Sequence, residues 1–518
     1  MKLAMVILSA LVACIFSLTS TVAAADISSA GVKGKWSEGT TWVGGVVPGG
    51  ADNVTIVDGD TVTYDRRSGA VNNLTVGQGT SGVFQFSKVD TTILTVLGNL
   101  EVKAGAIFRV QTRSVTGSLA HSLYLSGNLT NAGAGFDLRA GTSGSTLAVC
   151  NIICIGSTNT TITMGPYTSS NNEFNGFMIN KSGSARVILR SDMVMAGGSS
   201  TEEPGNPYLT LKRGIIETGQ YALIHLYTSG NIVTGGSDTS YVLGAMGRGM
   251  SNSGTTYRIF QVGDAKGYRP VMLRCLTSGL ATGHYIRVGA LLGNANTGSS
   301  TFAGGIDKVS EVRYFKLSYG IAAGAGATSM TLNQFSVSYG LNEGVAAGNT
   351  NLRVAIADSN RAIWTGIGPA TVPHMTALDS LPAMITSDST GGRTLQAGGA
   401  AMYMALGRAT GTTENSLKEG TSAVERIDGI PVAYEVMQNY PNPFNPSTNI
   451  RYGLPRKSQV TLSVFNTLGQ EVANLVHGEY EAGYHEITFD ASGLPSGVYF
   501  YRLKAGDFMQ TKKSLMLR

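Results

Sequence analysis

Short apolar runs separated by small and polar turn residues recur along the whole chain, and few segments space apolar residues as a helix would. Near the amino end, Val54, Ile56, Val62 and Tyr64 alternate with polar neighbours on either side of Asp58-Gly59-Asp60. Near the carboxyl end, Thr461, Ser463 and Phe465 alternate with Leu462 and Val464. A period of two marks a half-buried strand, so the pattern predicts an all-β protein.

Repetition sharpens this reading. LTVLGNLEVKAGAIFRV begins at Leu94 and LYLSGNLTNAGAGFDLR at Leu123, so Gly98-Asn99-Leu100 returns 29 residues later as Gly127-Asn128-Leu129. LTVGQGTSGVFQF from Leu74 is a looser copy, and FNGFMINKSGSARVILRSDMVMAGG and LTLKRGIIETGQYALIHL keep the same pattern of short strands and small turns. A period of this size fits one coil of a solenoid. A single coil cannot bury its apolar face, so coils stack with strands about 4.8 Å apart in parallel sheets, and Gly and Asn mark the corners. Residues 26–240 are therefore expected to form a right-handed parallel β-helix-like region, with a run of β-sandwiches as the second architecture. From Tyr241 the strand-like runs lengthen, as in YRIFQVGDAKGYRPVMLRC, VRYFKLSYG and MTLNQFSVSYG. They predict an antiparallel β-sandwich over 241–410, ending with a strand at Tyr403–Leu406, and place Arg258, Arg269, Arg287, Arg313 and Arg353 on its outer faces.

Residues 411–430 are small and polar and read as a linker. Beyond them, Gln438 to Ile450 read QNYPNPFNPSTNI, with three prolines and four asparagines in thirteen positions. Pro441, Pro443 and Pro446 each fix φ and remove a donor, which excludes a helix or a central strand. Asn442 and Asn445 suit turns. The stretch should be a stiff, extended lead-in, with Tyr440 and Phe444 available to staple it down. Strand-like runs follow at 449–452, 459–465, 471–476, 484–489, 497–503 and 511–517, separated by turns at Leu468-Gly469-Gln470 and at 492–497. Gly497 and Gly506 should allow tight turns. Residues 431–518 thus predict a small immunoglobulin-like β-sandwich.

Composition adds a setting. Glycine, at 68 of 518 residues, is about 13% against an average of ~7%. Charged residues are only 14%, and a net charge of +5 is mild for this length and calls for no nucleic-acid partner. Residues 1–25 combine Lys2, an apolar run and Ala23-Ala24-Ala25 before Asp26, the pattern of a secretory signal peptide. Leu11-Val12-Ala13-Cys14 resembles a lipoprotein cleavage box, but the apolar run continues past Cys14. No later stretch reaches about 18 uninterrupted apolar residues, so the mature chain should have no transmembrane helix. Its cysteines are Cys150, Cys154 and Cys275. Cys150 and Cys154 sit about 13 Å apart on a straight strand, too far to bridge unless the strand bends, and read first as small buried hydrophobes.

Four motifs in the carboxyl-terminal region agree in type and order: NYPNPFNPSTNIRYGLP, VFNTLGQEV, LPSGVYFYRLKAG and the basic ending KKSLMLR. Together they resemble the type A C-terminal sorting domain of the type IX secretion system, over about 85 of 518 residues. The resemblance implies export across the outer membrane of a Gram-negative, Bacteroidota-like cell, with the type IX translocon as partner. It carries the sorting motif onto Asn439, Tyr440, Pro441, Asn442, Pro443, Phe444, Asn445, Pro446, Gly469, Gly497 and Tyr499. The repeat segments resemble regions common in proteins with the same domain, and FQVGDAKGYRPV resembles a motif of that lineage without assigned chemistry. The opening W…TW.GG.VP pattern, with Trp36 and Trp42, resembles the start of many secreted β-helix and adhesin-like proteins. The two indoles could cap the first coil, and Trp pairs also stack on sugars.

Candidate chemistry is sparse. The six histidines, His121, His225, His284, His374, His477 and His485, share no metal-ligand spacing, and HExxH, GxSxG and P-loop motifs are absent. Asp58 and Asp60 could be paired carboxylates or a calcium corner, but a turn between strands accounts for them. Glu202-Glu203 before Pro204 reads as a solvated loop. No catalytic, metal or cofactor site is expected. The sequence therefore points to a secreted or cell-surface, non-enzymatic structural or adhesin-like protein. Surface lipopolysaccharide or extracellular glycans are further candidate partners. A β-helix polysaccharide lyase or glycoside hydrolase, or a carbohydrate-binding protein, is the rival reading, since fold alone does not fix function.

Overall fold

The computed structural model describes residues 24–517 except 114, 142–145, 169–171, 196–208, 227–232, 251–256, 277–282, 299, 323–328, 340–344, 346–350, 368–383, 388–391, 413–416, 418–433, 438, 440, 441, 482 and 507. Residues 1–23 of the expected signal peptide, Glu202-Glu203, His374, Tyr440, Pro441 and most of the expected linker lie outside the described residues. Strands dominate, and the helical residues named among the described ones are two short 3-10 turns, Gly39–Thr41 and Val43–Gly45.

The amino-terminal region is a β-solenoid of about seven turns. Each turn adds a short strand to each of three parallel sheets. One sheet runs through Asn53–Ile56, Asn73–Val76, Leu100–Val102, Leu129–Asn131, Thr160–Thr163 and Arg186–Leu189. A second contains Thr61–Tyr64, Val83–Phe86, Ile107–Arg109 and Gly135–Asp137. The third contains Ile93–Val96, Leu119–Leu125, Ala148–Cys154, Gly176–Asn180 and Leu209–Arg213.

In-register stacking of the apolar positions builds the core. Val54, Leu74, Leu100, Leu129, Ile162 and Leu189 are successive partners in the first sheet and are all buried. Leu94, Leu123, Ile152, Phe177 and Leu209 form the matching column in the third. In the second, Phe84, Phe108 and Phe136 stack with ring centroids 4.8 and 5.3 Å apart. Each such buried side chain contributes about 1.5–3 kcal/mol, so the columns, not local propensity, hold the coils.

Polar side chains tie the corners together. The Asn73 amide donates to Asn53 Oδ1 at 2.7 Å. Asn73 Oδ1 accepts from the Asn99 N–H at 2.6 Å, and Asn99 Oδ1 accepts from the Asn128 N–H at 3.0 Å. Asn128 Oδ1 in turn accepts from Thr161 N–H at 2.8 Å. This asparagine ladder is the physical content of the repeated Gly-Asn-Leu. The glycine beside it is required by close approach: a Cβ on Gly127 would lie 2.2 Å from the Gly98 carbonyl oxygen.

Strand Val242–Gly249 changes the architecture. It pairs in parallel with Ile215–His225 on one side and antiparallel with His284–Leu292 on the other. From there the sheet continues antiparallel through Arg313–Ile321, Met402–Ala409 and Leu352–Ala357. A separate antiparallel sheet holds Arg258–Phe260, Val271–Cys275, Ser329–Ser338 and Met384–Thr386. Parallel pairing persists past 240, because Val242 and Leu243 also pair with Val262 and Gly263. Solenoid and antiparallel region share this strand and belong to one compact unit, which extends to Leu417. Leu417, inside the expected linker, is buried, and its carbonyl accepts from Glu311 N–H at 2.7 Å.

Two of the five arginines expected on outer faces point inward instead. Arg258 and Arg313 are buried, and Arg313 Nε donates to Asp264 Oδ2 at 2.6 Å. The charge is accommodated because its counter-charge is buried with it, 49 residues away in the chain. Arg269, Arg287 and Arg353 are only partly buried. Cys150 and Cys154 are free and buried, as read from strand geometry, and burial pushes the Cys154 thiol up to about 12.

The second unit contains Lys418–Arg518. Glu435–Val436, Ser447–Leu454 and Gly483–Asp490 form a three-stranded antiparallel sheet. Glu471–Tyr480, Ser458–Phe465, Gly497–Ala505 and Phe508–Met516 form a four-stranded one. Ile450, Tyr452, Leu454, Val460, Leu462, Val464, Tyr501 and Leu503 share the core of this unit.

Candidate functional site

In the carboxyl-terminal module, the Asn/Pro segment is clamped rather than loose. The Asn439 N–H donates to Tyr501 Oη at 2.8 Å, and its amide donates to Thr448 Oγ1 at 2.9 Å. Tyr501 Oη donates onward to the Met437 carbonyl at 2.7 Å. Burial pushes this hydroxyl up to about 12, partly offset by the Asn439 N–H. The segment then runs beside the last strand. Asn442 Oδ1 accepts from the Leu515 N–H at 2.8 Å, the Phe444 N–H donates to the Leu515 carbonyl, and the Leu517 N–H donates to the Phe444 carbonyl. Phe444 is buried with its ring 5.9 Å from that of Phe489, which makes it the expected staple. Asn442, Pro443, Asn445 and Pro446 are exposed, and the Asn442–Pro443 peptide is cis.

The remaining motif residues serve separate turns. Gly469, at φ 78°, closes the turn that follows Ser458–Phe465. Tyr499 is buried and its hydroxyl donates to the Pro495 carbonyl at 2.7 Å. Gly497 opens the strand Gly497–Ala505, whereas Gly506, at φ 59°, makes the tight turn into Phe508–Met516. The motif residues therefore do not line one pocket. They fix the lead-in, two turns and the last strand of a sandwich. A cleft of about 310 Å³ does open on the four-stranded sheet, lined by Phe465, Asn466, Thr467, Gly469, Phe500, Arg502 and Thr511. Of the motif residues, only Gly469 reaches it. Sequence reasoning missed Arg502 and Phe500, whose outward direction follows from the strand period once Tyr501 and Leu503 are known to be buried.

The solenoid's candidate groups are engaged structurally. Asp58 accepts from the Gln78 and Ser81 N–H groups and from Thr80, through both its N–H and its hydroxyl. These bonds, the Thr80 hydroxyl first, hold its pKa down to about 2. Asp60 Oδ2 accepts from the Gly31 N–H at 3.0 Å. The two carboxylates thus bind opposite neighbouring coils across the Gly59 turn. Trp36 and Trp42 are enclosed edge to face at 4.8 Å, and Trp42 Nε1 donates to the Trp36 carbonyl. His121 is buried, accepts from Thr92 and stacks on Phe86 at 5.0 Å; burial pushes its pKa down to about 4. Among the described residues, no three His, Cys, Asp or Glu side chains gather as a metal site, and no helix is long and apolar enough to cross a membrane.

Comparison with known families matches residues 438–517 to the secretion system C-terminal sorting domain. No curated protein matches the chain. The matched residues are the module whose lead-in and strands are described above. The chain thus carries a type IX sorting domain behind a β-solenoid, which implies export to the extracellular space or outer cell surface through the type IX machinery.

Proposed function

We propose that the exported protein is a non-enzymatic structural or adhesin-like component of the cell surface or its surroundings. In this reading residues 26–240 are the stacked scaffold, 241–410 the sandwich that completes it, 411–430 the connection and 431–518 the address. The observation that supports it best is the use of the solenoid's polar groups. Asp58, Asp60 and the asparagines spend their hydrogen bonds on adjacent coils, and both indoles are buried, which favours capping over sugar stacking. Surface lipopolysaccharide or extracellular glycans remain the partners such a scaffold would meet. A screen of the purified chain on a glycan array and on soluble polysaccharides tests the proposal. Binding or silence without released reducing ends or unsaturated products is expected. Sustained turnover abolished by one carboxylate substitution would establish the lyase or hydrolase reading instead.

A further inference from the structure

Charges on the outer faces of the sorting module are not all matched. On the three-stranded sheet Arg451 pairs with Glu486 at 3.4 Å. On the four-stranded sheet Glu479, near the end of Glu471–Tyr480, pairs with Lys457, which also reaches Glu481. The two central strands of that sheet and their neighbour are different. Phe465, Phe500 and Lys513 are adjacent partners across three strands, as are Ser463, Arg502 and Thr511. Arg502 and Lys504 are exposed, and neither has a carboxylate partner among the described residues.

Arg502 is nevertheless held in place. Its guanidinium lies 4.8 Å from the centre of the Phe465 ring, and its Nε donates to Thr511 Oγ1 at 3.3 Å. Contact with the aromatic face and the Thr511 bond leave the Nη1 and Nη2 donors of this exposed guanidinium, a planar fork that suits a carboxylate, for a partner. Beside it, the 466–470 turn is closed by its own hydrogen bonds. Asn466 Oδ1 accepts from both the Leu468 and Gln470 N–H groups at 3.0 Å, and the Gly469 N–H donates to the Asn466 carbonyl. That turn presents Leu468 at 81% exposure. An apolar side chain held out by a hydrogen-bonded turn, beside a cleft walled by two phenylalanines and a guanidinium without a carboxylate partner among the described residues, matches the hot-spot pattern of a recognition surface.

We infer that the cleft between Phe465, Phe500 and Arg502, together with Leu468, docks an acidic segment of the export machinery. The partner supplies a carboxylate to Arg502 and Lys504 and an apolar side chain to the phenylalanine wall. This rests on the sorting assignment and adds which face is read and by what chemistry.

The test uses the full chain in a cell with a working type IX system and measures the fraction delivered outside. Three versions are compared with the parent: R502E/K504E, R451E on the opposite face, and deletion of 438–517. Charge reversal should cut delivery at least about tenfold, because like charges across an interface are strongly unfavourable, while R451E stays near the parent. Protease resistance of the retained chain reports that the module is folded. If R502E/K504E does not fold, Leu468→Asp, on an exposed turn, decides in its place. Parental delivery of a folded R502E/K504E chain overturns the docking face, provided the deletion abolishes export. Parental delivery of the deleted chain overturns the sorting assignment itself.

Discussion

Asp58 shows how much one partly exposed side chain can do when its acceptors are all used. Its pKa is held near 2 in the folded chain against an ordinary carboxylate value of about 3.9. The stabilisation it gives is therefore complete above about pH 4 and is lost as the pH falls through 2. Asp58→Ala should lower the unfolding midpoint at pH 7, and the gap to the parent should close by about pH 2 in thermal melts. His121 works at a different pH by a different cause. Burial holds its pKa near 4, against about 6.5 unfolded, so stability is full above about pH 6.5 and declines towards pH 4. His121→Leu should flatten that decline by up to roughly 3 kcal/mol in denaturant titrations at pH 7 and 4.5. The turn role of Asp58 was readable from Asp-Gly-Asp between alternating strands. The inward turn of Arg313 was not, because its reason, Asp264, is remote in sequence and adjacent only in the fold. Arg313→Ala should cost about 3–5 kcal/mol by leaving that carboxylate buried and unpaired.

Coils succeed as elements because their corners repeat, not because their lengths do. Asn99 and Asn128 advertise the 29-residue step, yet Asn53 pairs with Asn73 only 20 residues on, and Leu129 pairs with Ile162 after 33. Corners absorb insertions while the inward columns keep register, so only the evenly spaced coils stood out in the sequence. Strand Val242–Gly249 was harder to read. A run of alternating residues does not say whether its neighbour is parallel or antiparallel, and this one has a neighbour of each kind. The two coil devices should differ in weight. Phe108→Ala, in the middle of a ring stack, should cost about 3–5 kcal/mol in chemical denaturation, whereas Asn99→Ala should cost about 0.5–1.5 kcal/mol, because the N–H it frees lies where water can reach it.

At the scale of the molecule, address and cargo are separable in the sequence and fall in different compact units. Loss of residues 438–517 should leave the 26–417 region folded, with its protease-resistant core intact, and retained inside the cell envelope. The address was legible because four motifs agree in type and order, and its three prolines each fix φ in the lead-in. The cargo's task was not, because polar groups that stack coils and polar groups that grip a ligand look alike in a single sequence. The ladder of coils also makes the scaffold a mechanical object. Each coil is bonded mainly to the one before and the one after, so tension applied along the stack loads one interface at a time. Drawn out under force, a coil of 29 residues would release roughly 100 Å of slack before the next one yields. A surface protein with that response would lengthen in steps and dissipate a tug in its own length.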